Sequence, residues 1–179
     1  MNDKKSISYS KYLSLILRHD PAKAGIELDK EGWADVQKLL NATRSDFNYL
    51  CEIVETNNKK RFEFNSDRTK IRACQGHNVR LNVDLGFEPV NPPDVLYHGT
   101  SESSAVSIKK QGLLKKSRQH VHLSADRQTA IKVGQRHEKP FVFKVDAKLM
   151  HDSGSKFFLS YNGVWLVDSV PQSYLTPDD

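Results

Sequence analysis

The chain has 179 residues, of which 37% are hydrophobic and 27% charged, and this composition is ordinary for a globular protein with one mid-sized or two small domains. It has no apolar run as long as a membrane span, no signal-peptide core at its N-terminus and only two cysteines, so we expect a cytoplasmic protein without a disulfide framework. The net charge of +5 favours polyanionic partners such as RNA only where the cations cluster.

The first predicted element is an apolar helix that ends at two cations. Apolar residues recur at helical spacing from Tyr9 to Leu17, with Ser8 as the predicted N-cap. The helix should stop at Arg18-His19, because Asp20-Pro21 disfavours its continuation. The two cations either complement the helix dipole or belong to a functional site.

The following elements have the order of a winged-helix module. Ile26 and Leu28 predict a short strand, Trp33 to Leu40 a second helix and Ser45 to Val54 a third. Residues 61–64 and 69–75 then predict a β-hairpin. Winged-helix modules have this order of helix, short strand, two helices and hairpin. Such modules commonly bind nucleic acid, although the fold alone does not establish that function.

The predicted hairpin is the most basic part of the N-terminal half. Its cations are Lys59, Lys60, Arg61, Arg68, Lys70, Arg72 and Arg80. Because Phe62 and Phe64 should face the core, Arg61 and Glu63 should face outward or toward a cleft. Most of the cations are expected to form a solvated wing, and residues 72–77 bring a further polar cluster to the strand end.

A proline-rich segment separates the two halves. It predicts a linker at 86–94, between a first lobe at 1–85 and a second at 95–179. In the second lobe a helix is predicted from Ser103 to Gln111, a strand at 141–145, and a hairpin around Asn162-Gly163. The lobe lacks ordered βαβ repeats, so the predicted fold class is α+β.

Two polar strand ends in the second lobe predict a ligand cleft. Val95 to Tyr97 predict a buried strand that ends at His98-Gly99-Thr100, and a second strand at 120–124 ends at Ser124, the predicted cap of a helix at 126–133. Glycine lets a ligand approach the backbone, while imidazole and hydroxyl groups offer directed hydrogen bonds. The alternative is that the histidines are satisfied strand residues.

Several common enzyme signatures are missing from the chain. There is no glycine-rich dinucleotide fingerprint, no P-loop and no nucleophile elbow. His98, His120 and His122 have no spacing typical of a metal site, so we expect no metal. Abundant Arg and His without a pair of catalytic carboxylates suit a reaction of phosphorylated substrates, because Arg binds phosphate with two parallel hydrogen bonds.

Six segments in a fixed order carry a family resemblance. They are Leu13-Ser14 with Leu17-Arg18-His19, Lys60-Arg61-Phe62, Ile71-Arg72-Ala73 with Gln75-Gly76-His77, Leu96-Tyr97-His98-Gly99-Thr100, Arg118 with His120-Val121-His122-Leu123-Ser124, and Gly163 with Trp165-Leu166. Together they resemble the NAD-dependent RNA (tRNA) 2'-phosphotransferase family across nearly the whole chain. One departure is Asn78, where that pattern leads us to expect Ser.

The resemblance implies both a fold and a reaction. The fold is an N-terminal winged-helix lobe followed by a C-terminal mixed α/β lobe similar to ADP-ribosyltransferases. In the reaction an internal RNA 2'-phosphate attacks the nicotinamide ribose of NAD, which is consumed as co-substrate, and nicotinamide leaves, giving a 2'-phospho-ADP-ribosylated RNA intermediate. The 2''-hydroxyl of that ribose then attacks the phosphorus, releasing 2'-OH RNA and ADP-ribose 1'',2''-cyclic phosphate. The first nucleophile is already an anion, so it needs positioning and charge neutralisation rather than a base.

The resemblance also implies residue roles. Essential residues of the family correspond by motif to Arg18, His19, Arg61 and Arg118, with the arginines holding the 2'-phosphate and His19 transferring a proton. Cofactor contacts are implied for His98, Gly99 and Thr100, with His122, Ser124, Gly134 and Arg136 as further candidates. Substrate contacts are expected for Arg72, Gln75 and His77. Because the arginines come from both lobes, the site is expected between them.

Two alternatives stay open at this point. The same cleft could transfer ADP-ribose to a terminal nucleic-acid phosphate or to a protein and stop there. The chain could also be a winged-helix RNA binder without enzymatic activity, whose second lobe only senses NAD. No membrane partner is expected, and a monomer of this size would suffice.

Overall fold

The computed structural model describes residues 4–135 and 139–178. The chain divides into two compact units, Met1–Gly86 and Phe87–Asp179, and we describe each by itself. Both combine helices with antiparallel sheets, so the fold is mixed α/β. Within the described ranges no helix is both long and apolar enough to cross a membrane.

Unit 1 contains three α-helices and a three-stranded antiparallel sheet among its described residues. Its elements are α1 (Lys4–Arg18), a 3-10 helix (Pro21–Ala24), β1 (Ala34–Asp35), α2 (Val36–Thr43), α3 (Phe47–Glu55), β2 (Phe62–Phe64), β3 (Lys70–Ala73) and a second 3-10 helix (Val79–Leu81). The strand order is β1-β3-β2, and Phe62 pairs with Ala73. The core is built from Leu13, Ile16, Leu17, Leu39, Leu50 and Ile71, all fully buried.

Local capping signals explain where these helices begin and end. Asp35 and Asp46 precede α2 and α3, and each carboxylate accepts a hydrogen bond of 2.8 Å from a backbone N–H in the first turn of its helix. The predicted end of α1 at Arg18-His19 is confirmed, as is the hairpin formed by β2 and β3.

Three sequence-based predictions in unit 1 are wrong. Ser8 is not an N-cap, because α1 already includes Lys4 and no helix-breaking residue lies between them. Ile26 and Leu28 are not in a strand, since the sheet edge is occupied by β1, and Ile26 instead buries its side chain in the core after the turn at Gly25. Trp33 lies before α2 rather than inside it.

Unit 2 contains three further helices and three antiparallel sheets among its described residues. Its elements are β4 (Val95–Ser101), α4 (Glu102–Gln111), β5 (Leu113–Leu114), β6 (Val121–Leu123), α5 (Arg127–Gly134), β7 (Pro140–Asp146), α6 (Ala147–Asp152), β8 (Phe157–Leu159), β9 (Trp165–Val167), β10 (Ser169–Val170), a 3-10 helix (Gln172–Tyr174) and β11 (Leu175–Pro177). The strand orders are β11-β7-β4, β6-β9-β8 and β10-β5. The predicted end of α4 at Gly112 and the β8–β9 hairpin are confirmed.

The ends of the two polar strands differ from the prediction. His98, Gly99 and Thr100 lie inside β4, because β4 pairs with β7 over seven residues and continues to Ser101. The cap of α5 is Asp126, whose carboxylate accepts from the Thr129 N–H at 2.8 Å. Ser124 is instead bridged to Tyr97 by two backbone hydrogen bonds of 2.7 and 2.9 Å. That bridge brings the end of β6 beside the middle of β4.

The segment that precedes β4 belongs to unit 2 from Phe87 onward and pairs with β8. Pro89 forms a bridge with Phe158, and the Val90 N–H donates to the Phe157 carbonyl at 2.9 Å. The predicted lobe limits at 85 and 95, with a linker at 86–94, stay a prediction.

Candidate functional site

In unit 1 the C-terminal end of α1 lies beside the segment that follows β3. The Arg18 carbonyl accepts a hydrogen bond of 2.7 Å from the Asn78 N–H. The Asn78 side chain accepts from the Arg80 N–H at 3.0 Å and caps the short helix that follows. Asn78 therefore performs the capping that a Ser could also perform at this position.

His77 is the most enclosed polar side chain of this region. It is fully buried. Its pKa is lowered from 6.5 to about 4, mainly by burial and also by the positive charges of Arg18, Arg72 and His19. The structure thus brings four predicted residues into one electropositive cluster around a neutral imidazole.

The His77 imidazole is an unsatisfied hydrogen-bonding group. Neither of its ring nitrogens has a hydrogen-bond partner within residues 4–135 and 139–178. A Cβ added to Gly32 would lie 3.2 Å from Nε2, so the glycine backbone packs closely against this side of the ring. A neutral imidazole offers one donor and one acceptor, and burying both unpaired is costly.

We expect His77 to make unit 1 less stable in mild acid. The unfolded chain binds a proton near pH 6.5 and the folded one only near pH 4, so stability falls as the pH drops below about 6.5. Between about pH 7 and pH 5 the free energy of unfolding should fall by about 2 kcal/mol through this residue. His77→Gln should remove that part of the decrease in urea titrations followed by Trp33 fluorescence. Equal pH dependence in both proteins would contradict a buried neutral His77.

Arg72 is held inside unit 1 rather than on a solvated wing. It is only 7% exposed. Its Nε donates to Glu63 at 2.7 Å and its Nη1 to the Glu31 carbonyl at 3.3 Å, while the guanidinium carbon lies 4.2 Å from the Trp33 ring centroid. Arg72 is therefore not one of the solvated wing cations, whereas the exposed Arg68 and Lys70 are. Its substrate contact stays a prediction.

Arg61 and Gln75 lie at the same end of the hairpin as His77. The Arg61 carbonyl accepts from the Cys74 N–H at 2.9 Å, which continues the β2–β3 pairing by one residue. Arg61 is half-buried, and the Gln75 side-chain oxygen is buried with no hydrogen-bond partner among the described residues. This end of unit 1 thus collects predicted donors together with unsatisfied polar atoms.

In unit 2 the structure links Arg118, His122 and His98. The Arg118 Nη1 lies 2.7 Å from the His122 Nδ1. Because a guanidinium only donates, this nitrogen must accept, and the His122 proton lies on Nε2. The His122 carbonyl in turn accepts from the His98 Nδ1 at 3.0 Å. Burial lowers the pKa of His98, which is therefore neutral with a lone pair on Nε2.

The two predicted cofactor-binding glycines allow α5 to approach β4. A Cβ on Gly99 would lie 1.7 Å from the Ala130 carbonyl oxygen, and one on Gly134 would lie 2.6 Å from the Thr100 carbonyl oxygen. The close approach that each glycine permits is thus a packing contact within unit 2. Their contacts with a cofactor stay predictions, as do those of Thr100 and Ser124. Arg136 lies outside the described residues.

No metal centre is present in the part of the chain that the structure describes. No group of three or more His, Cys, Asp or Glu side chains there could hold an ion. The His120 ring packs against Phe158, with centroids 5.6 Å apart, and burial is the main cause of its lowered pKa.

Comparison with known proteins gives one consistent result. The family model described as RNA 2'-phosphotransferase, Tpt1 / KptA family, matches residues 4–169. A protein of Flavobacterium johnsoniae is 48% identical over 98% of both chains, and one of Rhodopirellula baltica is 49% identical over 97% of both. A protein of Nostoc punctiforme is 50% identical over 98% of both. Each of the three is named a probable RNA 2'-phosphotransferase.

Proposed function

This chain belongs to the RNA 2'-phosphotransferase family, Tpt1 / KptA, and from that membership we propose that it removes an internal 2'-phosphate from RNA by transferring it to NAD. The observation that carries the proposal is the family match over residues 4–169. The products are RNA with a free 2'-OH, nicotinamide and ADP-ribose 1'',2''-cyclic phosphate. NAD supplies the electrophilic ribose carbon and is consumed in each turnover.

The proposed reaction consists of two displacements. An oxygen of the RNA 2'-phosphate forms a bond to C1'' of the nicotinamide ribose as the bond from that carbon to nicotinamide breaks. The 2''-hydroxyl then loses its proton and attacks the phosphorus. The bond from phosphorus to the RNA 2'-oxygen breaks, and that oxygen takes up a proton. Negative charge is present on the phosphate throughout, so fixed cationic donors are the main requirement.

The unit 1 cluster supports phosphate binding. We assign Arg18 and Arg61 to the 2'-phosphate and His19 to proton transfer in the second displacement. The positively charged or ionisable side chains of Arg18, Arg72 and His19 surround a neutral His77 and favour an anion. Arg72, fixed by Glu63 and Trp33, contributes positive charge without being able to move far.

The polar residues of unit 2 fit the nicotinamide ribose part of NAD. We assign His98, Thr100, His122 and Ser124 to it, because they offer an imidazole acceptor, an imidazole donor and two hydroxyl groups. Arg118 would contact the phosphate through its guanidinium. On the same grounds we propose that unit 1 is a winged-helix lobe and unit 2 an ADP-ribosyltransferase-like lobe. The free thiols of Cys51 and Cys74 suit a reducing, cytoplasmic location.

Product analysis tests the proposal directly. The protein is incubated with NAD and a short RNA that carries one internal 2'-phosphate, and nicotinamide and the RNA products are separated. Release of nicotinamide with ADP-ribose 1'',2''-cyclic phosphate is the expected result. A stable ADP-ribosylated RNA would instead support the transferase that stops after the first displacement, and absence of nicotinamide release would contradict both.

His19→Ala should slow the second displacement more than the first. Removing a general acid or base costs about 100-fold or more in the step it serves. We therefore expect ADP-ribosylated RNA to accumulate in the variant, measured by mass spectrometry during a single turnover. Wild-type kinetics without accumulation would contradict the role assigned to His19.

A further inference from the structure

A cavity in unit 1 lies at the N-terminal end of α1, away from Arg18 and His19. It has a volume of about 500 Å³ and is formed by the N-terminal half of α1 together with the connection between α2 and α3. The side chains that matter below are Lys5, Tyr9, Tyr12, Arg44, Ser45 and Tyr49. We call this cavity the α1 groove. None of these residues has a role in the reaction proposed above.

The α1 groove combines aromatic rings with cations. The Tyr9 and Tyr49 rings lie 5.2 Å apart at a tilt of 38°, and the Lys5 Nζ lies 5.7 Å from the Tyr49 centroid. Tyr12 is half-buried and Arg44 is exposed at the mouth, and no ion pair of Arg44 occurs among the described residues. Stacking surfaces next to cations are the features with which proteins bind single-stranded nucleic acid.

Three hydroxyl groups of the groove bond to one another. Thr43 donates to the Leu39 carbonyl at 2.8 Å, so its oxygen accepts from Ser45 at 2.7 Å or from Tyr9 at 3.1 Å, and the Ser45 and Tyr9 oxygens lie 2.6 Å apart. The protons of these three hydroxyl groups are therefore used among themselves and on the Leu39 carbonyl, and their remaining lone pairs can accept hydrogen bonds from the amino group of a nucleobase. The Tyr49 hydroxyl is buried and has no partner among the described residues, which leaves one unsatisfied donor in the lining.

The phase of α1 aligns the groove with His19. Lys5, Tyr12 and His19 are spaced by seven residues, so they lie on one helix face and drift by only about 20° per step. The His19 N–H still bonds to the Leu15 carbonyl at 2.9 Å, which extends the helical pattern to it. At about 1.5 Å per residue, Tyr12 lies about 10 Å and Lys5 about 21 Å from His19 along the axis. Those distances correspond to a few nucleotides of a single strand.

We propose that the α1 groove binds a nucleotide of single-stranded RNA that flanks the 2'-phosphate, with a base against the tyrosines and a phosphate near Lys5 and Arg44. The inference rests on the proposed function for the identity of the ligand as RNA. It adds a binding site that is separate from the reacting groups. The groove should therefore affect the affinity for longer RNA and leave the reaction of a minimal substrate unchanged.

Two substrates of different length test the groove. One is an RNA of about 12 nucleotides with one internal 2'-phosphate, and the other is a dinucleotide with the same 2'-phosphate. Two groove variants are tested. One combines Lys5→Gln with Arg44→Asn, and the other is Tyr12→Leu, which keeps an apolar side chain for packing but removes the aromatic ring. Asn is chosen for position 44 because Arg44 has a φ of 51°. The control is Lys23→Gln with Lys38→Gln, which removes the same charge from exposed sites outside the groove.

The expected result is a loss of affinity for the longer RNA alone. Both groove variants should bind it about 10-fold more weakly, and the double variant should have a salt dependence shallower by about 1.4 in the slope of log Kd against log salt. Conversion of the dinucleotide should be unchanged. The proposal would be overturned if the lysine control bound the longer RNA as weakly as the groove variants do. It would also be overturned if the groove variants converted the dinucleotide correspondingly more slowly, or if they bound the longer RNA as tightly as the wild type.

The failure of this inference is distinguishable from a failure of the proposed function. Binding of the longer RNA is measured without NAD, so it does not depend on turnover. A wild-type protein that binds the RNA through the groove but converts neither substrate would refute the reaction and support the groove. If the wild-type protein converts both substrates and the groove variants bind the longer RNA normally, the reaction is supported and the groove is refuted.

Discussion

Gly99→Ala should unfold unit 2 or lower its free energy of unfolding by more than about 3 kcal/mol. Gly99 lies in the middle of β4, opposite Val142 of β7. A Cβ at this position would lie 1.7 Å from the carbonyl oxygen and 2.5 Å from the carbonyl carbon of Ala130. Both atoms belong to the backbone of α5, so no side-chain rotation relieves the collision. The helix itself would have to move away from the sheet.

Gly154→Ala in the same unit is the matched control. No atom lies within 4 Å of its added Cβ, and its φ of +100° makes only backbone strain relevant, which costs about 1–2 kcal/mol. Urea unfolding is followed by Trp165 fluorescence in a Trp33→Phe background, so that unit 1 contributes no signal. A Gly99→Ala protein no less stable than the control would mean that α5 does not pack this closely on β4.

The parts of the fold that the sequence predicted depend on signals between close neighbours. Asp20-Pro21 ends α1, Gly112 ends α4, and Asn162-Gly163 turns between β8 and β9. The errors depend on residues far along the chain. The length of β4 is set by its pairing with β7, which lies about forty positions later. Ile26 is outside the sheet because β1, and not the segment around Ile26, pairs with β3.

The candidate site shows the same division. Motifs identified which polar residues to examine, but their contacts required the structure. The glycine at 99 was interpreted as space for a ligand, and nothing near it in sequence indicated that the Ala130 backbone uses that space. The burial of Arg72 could not be predicted from the hairpin sequence, because Glu31 and Trp33, which enclose its side chain, lie about forty residues away. The burial of His77 likewise comes from Gly32 and Val83.

The contact between Arg118 and His122 was also not predicted, although both residues were named. They are separated by four positions, but the segment between them is not helical, so spacing gave no reason to pair them. The structure adds that His122 accepts this hydrogen bond and thereby orients the guanidinium. This contact leads to the second large effect that we expect.

Arg118→Lys should lower the rate of 2'-phosphate removal by about 100-fold or more, with a change in the free energy of unfolding of no more than about 0.5 kcal/mol. Arg118 is exposed, so little packing is lost. The lysine keeps the charge but loses the planar fork, which donates to His122 and matches the geometry of a phosphate. Arg127→Lys makes the same exchange elsewhere in unit 2 and should retain activity. Its Nε donates to the Asp178 carboxylate at 2.5 Å and its Nη2 to the Asp178 carbonyl at 3.5 Å.

Two changes at His122 separate orientation of Arg118 from charge. His122→Asn keeps an acceptor, because Oδ1 is as many bonds from Cβ as Nδ1 is, whereas His122→Ala removes it. We expect the alanine variant to lose about 10-fold in rate and the asparagine variant to recover most of that loss, measured with RNA and NAD both saturating. Wild-type activity of Arg118→Lys would show that a point charge suffices. Equal losses in the two His122 variants would show that the imidazole acts through its other nitrogen, and the contact with Arg118 would then not be the reason for its importance.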